Sequence, residues 1–251
     1  MAARFSSRPS GFTLTELAVV LAIVGLLLGS MMYTFSAQVD GRNLSDSRRR
    51  LDDARELLLA FALVNKRLPC PATAASNGDE SIAAAAPGGG GTCTTNYAGF
   101  LPAKAIGYQP VDGSGFAIDA WNNRIRYAVS NSSSSIFTKT HGGTGAIWSL
   151  TTAPSDLVVC DRSQAGATCA AGQSVTNQNV VVAIVYSSGK NGAAAIPATN
   201  LNELENADGD AVFVYRPPDP SGAATGEFDD MLVWIPVGLL YGRMTAAGVL
   251  P

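Results

Sequence analysis

Between Phe12 and about Val39 the chain carries a single charged side chain, Glu16, in a run otherwise rich in Leu, Val, Ala and Ile. Roughly 20 apolar residues suffice to cross a bilayer, so the run is long enough to be a membrane span. A carboxylate inside a hydrocarbon-facing helix is costly and marks a functional contact by default. No cation within the segment answers it. Arg4 and Arg8 precede the run with no acid among them. Positive charge flanking a span on one side places that side in the cytoplasm and the rest of the chain outside it. An ordinary secretory signal would follow its apolar run with small residues at an A-x-A-like site, whereas Leu28-Gly29-Ser30-Met31-Met32-Tyr33 follows here.

Gly11, then Phe12, then Glu16 four residues on, then a long apolar helix, resembles the prepilin peptidase site of type IV pilins and type II secretion pseudopilins. The resemblance implies cleavage between Gly11 and Phe12, N-methylation of Phe12, and packing of the helix in a filament core. Glu16 would there neutralise the terminal amine of a neighbouring subunit. A buried carboxylate needs a buried cation in any case, and cleavage after Gly11 creates an ammonium one helical turn away. The implied architecture is α+β: a long N-terminal helix, membrane-spanning in its first half, packed on an antiparallel β-sheet head. The expected segments are a cleaved leader at 1–11, a transmembrane and filament-core helix at 12–39, an amphipathic continuation at 40–67, and a disulfide-linked β-rich head at 68–251. Many pilins kink this helix with a proline; here none precedes Pro69, and Gly25 and Gly29 are the weak points.

Beyond Asp40-Gly41-Arg42-Asn43 a helical stripe resumes at Leu44, Leu51 and Leu58, with Ala54 and Phe61 between. Arg48, Arg49, Arg50, Asp52, Asp53, Arg55 and Glu56 form the opposite face, expected to be solvated. Asn65-Lys66-Arg67 would place cations at the helix end, and Pro69 and Pro71 stop it. Residues 72–95, rich in Ala, Gly, Ser and Thr, read as a surface loop. Short β-branched and aromatic runs follow at 125–129, 146–150, 157–160, 180–186, 211–215 and 231–235. With no amphipathic helix between them, antiparallel strands are expected. Asp119-Ala120-Trp121-Asn122-Asn123 resembles the Asp-Pro-Trp-Gly segment of pseudopilin heads, and Ser187-Ser188-Gly189-Lys190-Asn191-Gly192 resembles their strand-end turn.

Only 15% of residues are charged, with 26 Gly and 13 Pro, which suits a loop-rich β head. The net charge is -3 and becomes more negative without the two leader arginines, so nucleic acid is not an expected ligand. The four cysteines, Cys70, Cys93, Cys160 and Cys169, lie on the side placed outside the cytoplasm, where an even count reads as two disulfides. Three connectivities are open; local pairing, 70 with 93 and 160 with 169, is preferred. No C-x-x-C supports a metal site.

Enzymatic motifs are missing: Ser188-Gly189-Lys190-Asn191 lacks the parts of a phosphate loop, Gly113-Ser114-Gly115 is not a nucleophile elbow, and the one histidine, His141, sits in a glycine-rich loop. No catalytic residue and no cofactor is expected. Calcium is the one candidate ion: some pseudopilins bind it in a C-terminal loop, and Asp208, Asp210, Asp229 and Asp230 offer oxygen ligands near the C-terminus. Against it, no Glu closes an EF-hand loop and Asp208-Gly209-Asp210 also reads as an ordinary turn. Trp121, Trp148 and Trp234 are expected to pack in the core.

The leading expectation is a structural, non-enzymatic subunit. Its partners would be prepilin peptidase, other pilin or pseudopilin subunits, an inner-membrane assembly platform and the lipid bilayer. It would be a single-pass bacterial inner-membrane protein with its C-terminal head in the periplasm, reaching the cell surface in an assembled pilus. The rivals are a tip-located minor subunit whose head acts as an adhesion module, favoured by the head's size, and a membrane-tethered hydrolase.

Overall fold

The computed structural model of the chain describes residues 11, 13–142, 155–192, 194–220, 222–223 and 226–250, with the backbone alone at 30–37. The strand expected at 146–150, with Trp148, lies outside the described residues, as does Phe12. The architecture is α+β: a long N-terminal helix followed by mainly antiparallel sheet elements. Two compact units divide between Asn43 and Leu44.

Helix α1 runs unbroken over Leu14–Asn65, through Gly25, Gly29 and Gly41. In the first unit its described apolar side chains are exposed, from Leu14 to Leu28. Among the described residues no helix is long and apolar enough to cross a membrane.

In the second unit the expected stripe is the one that packs: Leu51, Ala54 and Leu58 are buried, and Leu44 and Phe61 lie against the same core. The polar face is less solvated than its composition suggests. Arg50 donates to the carbonyls of Ile118 and Asp119 at 3.0 and 2.7 Å while pairing with Asp46, and Ser47 is fully buried, accepting from Ala120 N–H. Helix α1 ends before its expected cations. Lys66 takes a left-handed φ of 56°, its carbonyl accepts from His141 N–H, and Arg67 turns away to Glu80.

The glycine-rich loop holds a hairpin that composition hid, β1 (Ile82–Ala85) with β2 (Gly91–Cys93). Next come β3 (Gly99–Phe100), the single turn α2 (Ala103–Ile106), β4 (Arg126–Val129) and the short turn α3 (Ser132–Ser135). The chain then forms β5 (Val158–Cys160), β6 (Val181–Ser187), α4 (Leu201–Ala207), β7 (Val212–Val214), β8 (Met231–Pro236) and α5 (Val237–Ala246). The main sheet has the order β3-β4-β6-β8 and is antiparallel throughout. Its faces alternate along β4 and from Ala183 onward in β6, past a register irregularity at Val181–Ala183. Tyr127, Val129 and Val185 join the core that includes α1, whereas Ala128, Ile184 and Tyr186 join a second core with Leu157 and Phe213. Strand β6 is buried on both faces, which is why it reads as one apolar run instead of alternating.

The all-antiparallel expectation fails at one pair: β5 and β7 run parallel, Val159 opposite Phe213. A parallel pair needs a long crossover, and the chain supplies one through β6 and α4. Helix α4 escaped the sequence reading because it is short and acidic, without a clear apolar period.

Candidate functional site

At the N-terminus, Gly11 is exposed and a side chain added there would meet nothing within 4 Å among the described residues. Thr13 and Glu16 form a reciprocal capping box. Thr13 N–H and Oγ1 both donate to Glu16 Oε2 at 3.0 Å, and Glu16 N–H donates back to Thr13 Oγ1 at 3.3 Å. Glu16 therefore finds hydrogen-bond partners within its own segment, though none of them is a cation. The signal was legible as Thr-x-x-Glu ahead of an apolar run, the spacing that satisfies the free N–H groups of a helix start. The carboxylate thus has a local role, and its partners are neutral donors.

In the second unit the two stretches singled out beside β4 and after β6 meet. Asp119 is buried, its Oδ1 accepting from Trp121 and Asn123 N–H and its Oδ2 from Ser187 Oγ. Asn123 Nδ2 reaches Gly189 O at 2.6 Å. Asn122 holds φ at 67°, a left-handed conformation asparagine tolerates better than most residues, so it can replace a glycine at this turn. From the same loop, Lys190 and Asn191 N–H donate to Asp229 Oδ2.

The four aspartates expected as one calcium set are not brought together. They divide into two triplets, Glu203 with Asp229 and Asp230, and Glu205 with Asp208 and Asp210. Glu203 and Glu205, acids of the same C-terminal region of the sequence that lie outside the expected four-aspartate set, enter the triplets from α4. Burial raises all three carboxyls of the first triplet: Asp229 to about 6, with the charges of Glu203 and Glu227 adding to it, and Asp230 well above the carboxylate range. In the second triplet burial raises Glu205 to about 7. Calcium takes six to eight oxygen ligands. In the first triplet the oxygens already accept N–H groups from Asn191, Asn200, Asn206, Lys190 and Asp229. Asp229 Oδ1 is the buried one with no partner. As arranged, the side chains of the first triplet alone fall short of a calcium shell.

The cysteines pair locally, Cys70 with Cys93 at 2.03 Å and Cys160 with Cys169 at 2.04 Å. The first pair ties β2 to the chain leaving α1, beside a buried ion pair in which Arg67 grips Glu80 through two bonds of 2.7 and 2.6 Å. Trp121 and Trp234 are partly buried against the two cores, and Trp234 packs edge-on to Tyr215.

No curated protein and no solved structure matches the chain at a significant level. Residues 6–32 match the family model described as the prokaryotic N-terminal methylation motif, which encloses Gly11, Phe12, the Thr13–Glu16 box and the exposed apolar start of α1. The match is confined to the N-terminal segment and is consistent with a type IV pilin- or pseudopilin-like protein.

Proposed function

We propose that this chain is a structural subunit cleaved after Gly11 by prepilin peptidase, N-methylated at Phe12, and assembled through its N-terminal helix into a type IV pilus or a type II secretion pseudopilus. The matched motif at residues 6–32 is the observation that carries the reading. Two features support it. The apolar side chains from Leu14 to Leu28 are exposed in the isolated chain and need a cover, which lipid supplies before assembly and neighbouring helices supply after it. The two disulfides suit a head in an oxidising compartment, outside the inner membrane in which the helix is held. In the filament, Glu16 would keep its bonds to Thr13 and add a charge contact with the Phe12 ammonium of a neighbour.

The test is the mass of the N-terminal peptide from isolated membranes. The expected peptide begins at Phe12 with one added methyl group. A peptide that retains residues 1–11 in cells with an active prepilin peptidase would overturn the proposal.

A further inference from the structure

We propose that the outer edge of β8 binds an extended peptide segment of a partner protein, which adds a strand to the main sheet and carries alternate apolar side chains and an acidic residue beside Arg48. The proposal goes beyond the filament reading and does not depend on it.

Strand register shows which backbone groups β8 leaves over. Val182 O accepts from Ser130 N–H on the β4 side. In β6 the backbone groups of Val182, Ile184 and Tyr186 therefore face β4, and those of Ala183, Val185 and Ser187 face β8. Their partners on β8 are Ile235, Val233 and Met231. Because these groups alternate sides along a strand, the N–H and C=O of Leu232 and Trp234 point away from the sheet. β8 is the last strand of that sheet, and among the described residues those four groups have no partner. Leu232 is only 5% exposed. Backbone groups so enclosed are nearly always paired, and an extended peptide repeats a donor and an acceptor at the same two-residue spacing. Pro236, next in the outward series, has no N–H, so the pairing stops at Trp234.

The edge lies at the bottom of a trough. Met231, Val233 and Ile235 belong to the core that includes α1, whereas Leu232 and Trp234 belong to the core on the opposite face. Two adjoining cavities of about 460 and 440 Å³ share Tyr215, Leu232 and Val233, so they take in both faces and run along the edge itself. Helix α1 walls one side, from Arg48 to Glu56, and Tyr215, Pro217 and Pro218 wall the other. A trough walled on both sides takes one extended chain; the edge of a second folded sheet would meet the walls.

The walls also state what the strand should carry. Tyr215 is 44% exposed and stands edge-on to Trp234, and Pro217, Pro218 and Leu239 extend the apolar surface offered to the strand's side chains. Most charges along the trough are answered: Asp52 pairs with Arg55, Glu56 with Arg243, and Arg216 with Asp219. Burial raises the Asp230 carboxyl well above the carboxylate range and favours its neutral form. Arg48, exposed at the Met231 end, makes no ion pair among the described residues. An acidic side chain complements it.

The experiment titrates the full chain in detergent micelles with two hexapeptides blocked at both ends, Glu-Val-Thr-Val-Thr-Val and its reverse, which present the acid in either strand direction. One of them should bind saturably with a Kd below about 1 mM and slow hydrogen exchange at the Leu232 and Trp234 amides. N-methylation of one alternate set of its amides should weaken binding about tenfold or more, and of the other set should not, because only one set faces β8. Replacing its Glu with Lys should weaken binding about threefold, the scale of an exposed ion pair. Trp234→Pro removes an N–H that the β6 ladder does not use, so the variant should fold and fail to bind. The proposal is overturned by no saturable binding of either peptide, by equal binding after either N-methylation, by a Lys peptide that binds as well as the Glu one, or by unchanged exchange at Leu232 and Trp234. A dimer of the chain that Trp234→Pro dissolves would also overturn it, by placing a second copy on this edge. Should the variant misfold by circular dichroism, the N-methylated peptides decide on the wild-type chain.

Discussion

Asp119 Oδ2 accepts a 2.6 Å hydrogen bond from Ser187 Oγ, joining the turn ahead of β4 to the last residue of β6 across 68 positions of chain. The same carboxyl takes two backbone N–H groups of its own turn. Arg50 of α1 holds the carbonyls of Ile118 and Asp119 from the other side. Helix, turn and strand-end loop thus meet at one buried side chain. Replacing Asp119 with Ala strands three donors, one buried and two part-buried, and the expected loss is about 3 kcal/mol. Asp119→Asn, which still accepts, should lose less. Urea unfolding of the two variants checks this; equal stability of Asp119→Ala and wild type would refute it.

Glu80 anchors the other end of α1. It receives both Arg67 bonds and Cys70 N–H, and the two side chains are 16% and 10% exposed. Removing one partner of so enclosed a pair leaves the other charge unpaired, so Glu80→Ala should cost about 3 kcal/mol while the Cys70–Cys93 bond still forms. Denaturation together with non-reducing peptide mapping measures both.

Burial sets the pH response of the Asp229 cluster. The folded carboxyl of Asp229 titrates near 6, above its unfolded value of 3.8, so folding favours the protonated form. Its contribution is therefore fully present below the unfolded value and is lost as pH climbs through about 6. Asp229→Asn keeps an oxygen for the Lys190 and Asn191 N–H groups and removes the charge. In EDTA it should raise stability at pH 7.5 by about 1 kcal/mol, discounted because the side chain is part exposed, and do nothing near pH 4. A stability difference that does not vary with pH would contradict the assignment.

Glu16→Gln separates the two roles of that residue. Glutamine still serves a capping box, so helix content should hold, but it carries no charge for a neighbour's ammonium. The processed variant, co-expressed with the other subunits, should be absent from sheared filaments. Normal incorporation would reduce Glu16 to a cap.

Gly11→Val tests processing alone. Among the described residues nothing crowds that position, so the fold should be unchanged while the leader is retained, because the peptidase must approach the backbone closely. An N-terminus at Phe12 in the variant would rule this out.

Local pattern alone determined the helix, its buried stripe at Leu51, Ala54 and Leu58, and five of the strand positions among the described residues, while the cysteine pairing it preferred among three was settled by the structure. Helix, stripe and strands are matters of period, which neighbouring residues fix. The Thr13–Glu16 box was equally legible, because a Thr-x-x-Glu spacing at a helix start is local. The parallel β5–β7 pair, the Arg50 clasp, the division of the acids into two triplets and the trough along β8 were decided by tertiary structure. They join segments distant in sequence, and a carboxylate or guanidinium reads the same in a chain whether it ends in water or is folded onto a sheet face. What separates the two outcomes is burial, which depends on which segments fold over one another.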